Sequence, residues 1–356
     1  MKTVVTITGI RPDFIRMSEL FKKLDENFNH ILIHSGQHFD KLLSGIFFKE
    51  LKIRKPDFNL KIGGKGKEHY HQVSELSIKI IELLKKKKIK PDIILFLGDS
   101  NSVACSVALK KEGYKIGHIE AGMRSGDRRM LEEINRTVCD HCSDMHFCYH
   151  KNYKNNLIKE NLPAKNIYIV GNTINGTCLN NFDLRNKIKD ENFILVDIHR
   201  PENFKCKIRM SNIIHLVRFC SDQFGVVPYM LNFPRTMEYI KKFKINLNGI
   251  NVVDLFSYRG FLKKQYHAKL IISDSGTAQE EPALLSTPVI VPRDFTERPE
   301  SVENNCSLMV NVNSKRNTSW RRIKKFIDFG FKKNNTKWLG TKNASQKIIN
   351  VLKKKL

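Results

Sequence analysis

The sequence predicts an α/β protein made of two doubly wound domains facing a cleft. Three observations carry that prediction. Short apolar runs alternate with amphipathic stretches along most of the chain, the signature of βαβ units. The run at 92–97 is apolar throughout, as a strand covered on both faces of a parallel sheet must be. The alternation lapses in a polar stretch at 180–190 and then restarts, so the boundary is expected near 172–190, with domains at 1–175 and 176–340.

The elements follow in order. The run 3–8 is β-branched and ends at Gly9-Ile10-Arg11-Pro12, where a helix over 13–24 begins. Proline is tolerated in a first helical turn. A strand, a glycine turn and a helix N-terminus suit phosphate, and Arg11 and Arg16 add positive charge. There is no G-x-G-x-x-G, so no dinucleotide cofactor is indicated. The run 30–35 ends at Gly36-Gln37-His38, again at a strand's carboxyl end. Gly63-Gly64-Lys65-Gly66 is a loop rather than a P-loop, because no G-K-[ST] follows. An amphipathic helix spans 73–88, and the strand 92–97 ends at Gly98-Asp99-Ser100. The next strand, 116–119, ends at Glu120. Adjacent parallel strands lie about 5 Å apart, so Asp99 and Glu120 could share one crevice. Glu132 and Glu133 open the following helix. A strand at 145–148, a helix near 152–160 and a strand at 167–170 complete the first block.

In the second block, the strand 193–197 leads into Ile198-His199-Arg200. A helix over 209–224, a strand near 226–231, a second helix, a short strand at 252–253 and a turn and helix over 256–262 follow. The strand 269–273 ends at Asp274-Ser275-Gly276-Thr277, which opens a helix over 278–285. The run 289–291 leads to a charged segment containing Arg298, and from Trp320 the chain reads as lysine-rich helix.

Composition bounds the function. The chain has 356 residues, 41% of them hydrophobic, enough for two ordinary domains. No apolar run reaches the about 18 residues of a membrane span, and the N-terminus reads as a first strand rather than a signal peptide. Of the eight cysteines only Cys139 and Cys142 come close to a metal-ligand spacing, in a lone Cys-Asp-His-Cys where a zinc site needs two such pairs, so buried thiols in a reducing cytoplasm are the better account and no metal site is expected. The net charge of +26 favours anionic ligands, but the lysines are spread over the chain, so nucleic acid is not an expected partner.

Each candidate part has a plain alternative. Ser275-Gly276-Thr277 could cradle a diphosphate or simply cap a helix. Glu280 and Glu281 could compensate a helix dipole or hold ribose hydroxyls. His199, at a strand end beside Arg200, reads as functional, although a lone histidine is more often structural. Arg298 sits where surface ion pairs are the ordinary case. These parts alone describe a two-domain enzyme acting on a nucleotide-linked anion.

Taken together, the motifs resemble the non-hydrolysing UDP-N-acetylglucosamine 2-epimerase family. They are Gly9-Ile-Arg-Pro-Asp-Phe-Ile-Arg16, Ser35-Gly-Gln-His38, Gly98-Asp-Ser100, His118-Ile-Glu-Ala-Gly-Met-Arg124, Glu132-Glu-Ile-Asn-Arg136, Gly171-Asn-Thr173, His199-Arg200, Ser273-Asp-Ser-Gly276, Gln279-Glu-Glu281 and Thr296-Glu-Arg-Pro-Glu300. The resemblance implies a glycosyltransferase-B-like fold of two Rossmann-like domains, a C-terminal helix (about 341–356) returning to the first, and a homodimer with no cofactor. It implies inversion at C2 of a UDP-2-acetamido sugar through elimination of UDP and re-addition to a bound glycal. Asp99, Glu120 and Glu132 match the family's catalytic carboxylates and His199 its essential histidine. Arg11, Ser275, Gly276, Glu281 and Arg298 match nucleotide-binding positions, and Phe261 matches the uracil-side aromatic. Arg16, Gln37, His38, Arg200 and Thr277 stand in the same motifs and are expected to line the substrate. Phe233-Pro-Arg-Thr236 and Ser273-Asp-Ser-Gly-Thr277 look like the enzymes that act on UDP-2-acetamido-2,6-dideoxy-L-hexoses, whereas Gly171-Asn-Thr173 and Thr296-Glu-Arg-Pro-Glu300 look like the glucosamine type; between the two, a 6-deoxy-L sugar is the favoured substrate. The UDP-N-acetylglucosamine/UDP-N-acetylmannosamine pair and a glycosyltransferase of the same fold are the alternatives. At positions 10, 16 and 131 the residues are Ile, Arg and Leu where that family usually has Thr, Lys and Pro, and Phe233 stands where a histidine usually precedes the proline.

Overall fold

The computed structural model describes residues 1–36, 45–63, 68–127, 130–184, 188–313 and 316–356. The chain forms two compact units, Met1–Thr177 together with Leu339–Leu356, and Cys178–Trp338.

The first unit is built on seven strands: β1 (Thr3–Thr8), β2 (Asn29–His34), β3 (Phe58–Asn59), β4 (Ile93–Leu97), β5 (Ile116–Ile119), β6 (Met145–Cys148) and β7 (Ile167–Ile169). Their spatial order is β3-β2-β1-β4-β5-β6-β7, and the neighbours pair in parallel. All of β4 is buried, which explains its unbroken apolar sequence: helices cover both faces. Strand order reverses between β1 and β4, and ligands of such sheets bind beyond the carboxyl ends at that reversal. The loops carrying Arg11 and Asp99 leave the sheet there. The last helix, Ala344–Lys355, packs on helix Arg11–Asn27 and buries Ile348, Ile349 and Leu352, while Lys23 donates to Gln346 at 2.8 Å.

The second unit repeats the plan with β8 (Phe193–Asp197), β9 (Val227–Leu231), β10 (Asn251–Val253), β11 (Leu270–Ser273), β12 (Val289–Val291) and β13 (Ser307–Met309). The order is β10-β9-β8-β11-β12-β13, again parallel, with the reversal between β8 and β11. His199 follows β8 and Asp274 follows β11 directly.

Two expectations need correction. The helix expected at 278–285 is a 3₁₀ turn, Thr277–Gln279, followed by a helix of only four residues, Glu281–Leu284. Pro282 has no N–H to extend a helix from the turn before it. The tail from Trp320 is not one lysine-rich helix but Arg316–Lys325, a wider π turn at Phe326–Gly330, 3₁₀ turns at Phe331–Lys333 and Lys337–Leu339, and Ala344–Lys355. Gly340 breaks it with φ +77° and lies against Gly171. Strands β3 and β13 and the helix Gly45–Leu51 were not anticipated; β3 and β13 are two and three residues long and are defined by pairing with neighbours rather than by their own pattern. Among the described residues no helix is long and apolar enough to cross a membrane.

Candidate active site

In the first unit, β4 and β5 pair with Leu97 opposite Ile119, so Asp99 and Glu120 leave adjacent strand ends. Glu120 is 4% exposed and has φ +73°, a left-handed backbone that a non-glycine residue adopts at a cost of about 1–2 kcal/mol. The amides of Glu120 and Ala121 donate to Phe147 O at 3.1 and 3.3 Å and hold that turn. Each carboxylate has its own arginine. Arg16, buried on helix Arg11–Asn27, pairs with Glu120 through Nη1 and Oε2. Arg136, 2% exposed, pairs with Asp99 through Nη2 and reaches Glu133 with Nη1 at 2.9 Å. Glu120 is buried and needs such a partner, because an uncompensated buried charge costs several kcal/mol, whereas Asp99 is only half-buried.

Glu133 in turn accepts from the amides of Ser125 and Gly126 and from Ser125 Oγ, fastening the loop after β5 to helix Leu131–Cys142. Glu132, half-buried, precedes it in the first turn. Behind the loop, Asp140 accepts from His118 Nδ1 at 2.6 Å, Gly122 N at 3.0 Å and Arg124 Nη1 at 2.8 Å. Burial favours its neutral form, but His118 and Arg124 outweigh burial and hold its pKa at about 2.

Asp13 faces the same strand ends. Its Oδ2 accepts from the amides of Gly9 at 2.7 Å and Ile10 at 3.0 Å. Burial pushes its pKa up to about 7, the two amides lower it, and Asp99 adds to the rise. Gly9 has no room for a side chain: a Cβ there would lie 2.6 Å from Ser100 Oγ and 2.7 Å from Ser102 Oγ. Arg11 lies half-exposed in the first turn of its helix. Gln37 and His38 lie outside the described residues.

In the second unit, Asp274 is fully buried and receives the amides of His199 at 3.0 Å and Arg200 at 3.1 Å and the side-chain amide of Asn203 at 2.9 Å. Asp197 accepts from His199 Nδ1 at 2.9 Å. The guanidinium of Arg200 lies 3.6 Å from Glu297. Arg298 is buried rather than on the surface, and its Nε donates to Glu280 at 2.6 Å. Its Nη1 lies 2.6 Å from where a Cβ of residue 276 would stand, so glycine is needed for it to reach that turn. Ser275 and Thr277 bond each other at 3.0 Å through their hydroxyls. With only a four-residue helix behind them, they supply hydroxyls and a close backbone rather than a helix dipole. Glu281 is buried and accepts from Tyr258 at 2.9 Å and Gln265 at 3.1 Å, so it ties its turn to helix Tyr258–His267. Phe261, on that helix, packs half-buried with Phe256 and Tyr229 against the core.

The unit 1 groups Arg16, Glu120, Asp99 and Glu133 thus gather at one set of strand ends, and His199, Arg200, Ser275, Gly276, Thr277 and Arg298 at another. The sequence reading missed Asp13, Arg136, Asp140 and Asp197, although the first two sit inside the motifs that carry the family resemblance. A polar residue at a strand end was the available signal for Asp197. Among the described residues no cluster of His, Cys, Asp or Glu is arranged to hold a metal.

Two parallel sheets of Rossmann order, each with its buried charges at the strand ends around the reversal, define an enzyme of the glycosyltransferase-B-like class. The profile of the family described as UDP-N-acetylglucosamine 2-epimerase matches residues 22–353. A UDP-N-acetylglucosamine 2-epimerase of Methanococcus maripaludis is 33% identical over 372 residues, covering 99% of this chain and 98% of that one. A UDP-2,3-diacetamido-2,3-dideoxy-D-glucuronate 2-epimerase of Pseudomonas aeruginosa is 34% identical over 318 residues, covering 86% and 88%. The crystal structure of the Methanocaldococcus jannaschii UDP-GlcNAc 2-epimerase in complex with UDP-GlcNAc and UDP superposes with a TM-score of 0.89 at 31% identity, covering 99% of this chain and 100% of that one. The chain belongs to the UDP-N-acetylglucosamine 2-epimerase family and is an enzyme of the isomerase class.

Proposed function

We propose that the chain inverts C2 of a UDP-2-acetamido sugar without hydrolysing it. The observation that carries this reading is the pair Asp99 and Glu120: two carboxylates at adjacent strand ends, each compensated by its own buried arginine. The C2 proton is weakly acidic, so its removal needs a placed carboxylate, worth about 10²–10⁴-fold. As the C2–H bond breaks, its electron pair forms C1=C2 and the C1–O pair leaves with UDP. Positive charge grows at C1 meanwhile, and a second carboxylate stabilises it. Re-addition of UDP, with a proton delivered to the other face, completes the inversion. Asp99, Glu120 and Glu132 are assigned the proton transfers and charge stabilisation. Arg11, His199, Arg200, Ser275, Gly276, Thr277 and Arg298 are assigned the diphosphate, and Phe261 and Glu281 the nucleoside. Arg16 is assigned to orient Glu120, and Gln37 and His38 to line the sugar.

The relatives support the UDP-N-acetylglucosamine/UDP-N-acetylmannosamine pair as substrate and product. A second reading, a UDP-2-acetamido-2,6-dideoxy-L-hexose, is favoured by Phe233, whose ring stands 4.9 Å from that of His199. An apolar ring there suits a sugar lacking one hydroxyl. A homodimer is part of the proposal, and light scattering should give twice the chain mass.

Proton NMR in D₂O tests the reading, with the protein added separately to UDP-N-acetylglucosamine and to UDP-2-acetamido-2,6-dideoxy-L-mannose. Deuterium at C2 with a second UDP-sugar anomeric signal is expected, and the faster substrate selects between the two sugars. Asp99→Asn, Glu120→Gln and Glu132→Gln should each slow the exchange by about 10²-fold or more. Near-normal exchange in all three, or free N-acetylmannosamine as product, would refute the mechanism.

A further inference from the structure

We propose that Asp197 is a positioning residue that holds His199 so that Nε2 presents an N–H to an anionic oxygen. This rests on the diphosphate role assigned to His199 above. Asp197 is the last residue of β8 and is 4% exposed. Its Oδ1 accepts from His199 Nδ1 at 2.9 Å, and its Oδ2 accepts from Ser273 Oγ at 3.0 Å. Ser273 Oγ accepts in turn from Ser275 N at 3.0 Å. A continuous hydrogen-bonded chain therefore runs from the turn after β11 across the sheet reversal to the imidazole.

The ring is fixed from three directions. Asp197 holds Nδ1, Asp274 holds the amides of residues 199 and 200, and the Phe233 ring lies alongside at 4.9 Å. Among the described residues Nε2 has no partner, and the side chain is 33% exposed, so Nε2 is the nitrogen left for a ligand.

The chemistry follows from which nitrogen is held. Facing a carboxylate, Nδ1 keeps its proton. A neutral ring would then turn a bare lone pair on Nε2 toward the substrate, which repels a diphosphate. A protonated ring turns an N–H toward it. The charged groups around the ring are the Asp197 and Asp274 carboxylates, which favour the cation, and Arg200, which opposes it. Burial also opposes it, but the carboxylates outweigh both and raise the His199 pKa. During elimination the C1–O electron pair leaves on the β-phosphate oxygen. His199 donates a hydrogen bond to the growing charge and keeps its proton, so nothing further need balance.

Asp197→Asn isolates the charge, because an amide oxygen can still accept from Nδ1. The twelve histidines can be followed by long-range ¹H–¹⁵N NMR, with His199→Gln used to assign the His199 signal. In the unmodified protein His199 should stay doubly protonated above pH 6.5, and its titration should move to lower pH in Asp197→Asn. UDP should shift the Nε2 resonance. The kcat of Asp197→Asn should fall with rising pH earlier than that of the parent and be about tenfold lower at pH 8, with a smaller change in KM, since the charge on the leaving oxygen peaks in the transition state. Coincident His199 titrations in the two proteins would overturn the inference. So would a neutral Nε2–H tautomer in the unmodified protein at pH 7, or Nε2 unmoved by UDP. The titration of the unmodified protein decides the matter even if Asp197→Asn does not fold. Absence of C2 exchange would instead refute the proposed function, which the NMR readout does not depend on.

Discussion

Asp13 shows how much one buried carboxyl can do. One of its oxygens accepts two backbone amides, and burial, reinforced by Asp99, lifts its pKa to about 7. The folded state thus holds the proton more tightly than the unfolded chain, whose carboxyl ionises near 3.8. Stability attributable to Asp13 is therefore full below about pH 4 and is lost progressively as pH rises to about 7. Asp13→Asn does not titrate, and its amide oxygen can take both N–H groups. Its melting temperature should match the parent near pH 4 and exceed it by several degrees near pH 8. Differential scanning calorimetry across that range checks this, and a constant difference between the proteins would show that the carboxyl does not titrate there.

At the scale of elements, two glycine turns bring groups together: the one at Gly9 opens helix Arg11–Asn27, and the one at Gly276 stands where a longer helix was expected. The turn at Gly276 lets Arg298 come within van der Waals contact of the backbone, and the turn at Gly9 nests against Ser100 and Ser102 beside Asp99. Gly276→Ala should weaken UDP affinity about tenfold or more, by displacing the guanidinium, with little effect on the fold; calorimetric titration with UDP measures it. Gly9→Ala should instead lower kcat, because its methyl pushes on the loop that carries Asp99. An unchanged kcat in Gly9→Ala would mean that the two hydroxyls yield at no cost.

At the scale of the whole molecule, the second unit interrupts the first, which closes only when the chain returns at Leu339. Helix Ala344–Lys355 buries Ile348, Ile349 and Leu352. Each fully buried aliphatic side chain contributes about 1.5–3 kcal/mol, and a domain is stable by only about 5–15 kcal/mol. A chain ending at Trp338 should therefore lose the cooperative melting of its first unit and aggregate. A soluble truncated protein with unchanged C2 exchange would show that the returning helix is dispensable.

Much of this was legible in the sequence, and for a physical reason. A strand buried on both faces is rich in apolar and β-branched residues, so β4, apolar throughout, and the mainly apolar or β-branched runs of β1, β5 and β8 stood out. Polar and charged residues placed directly after such runs had to lie at the carboxyl ends of the sheet, which located Asp99, Glu120, His199 and Asp274. The ordered motifs then gave the family. Partnership, by contrast, was decided only by the tertiary structure. Arg16 with Glu120, Arg136 with Asp99, and Arg298 with Glu280 are 104, 37 and 18 residues apart. The short edge strands β3 and β13 exist only through the ladders they join, and Pro282 breaks a helix that residue preferences alone extend. Local pattern determines what each segment can become, whereas strand order across the two reversals decides which distant charges meet, and with them which groups are fixed and ready for chemistry.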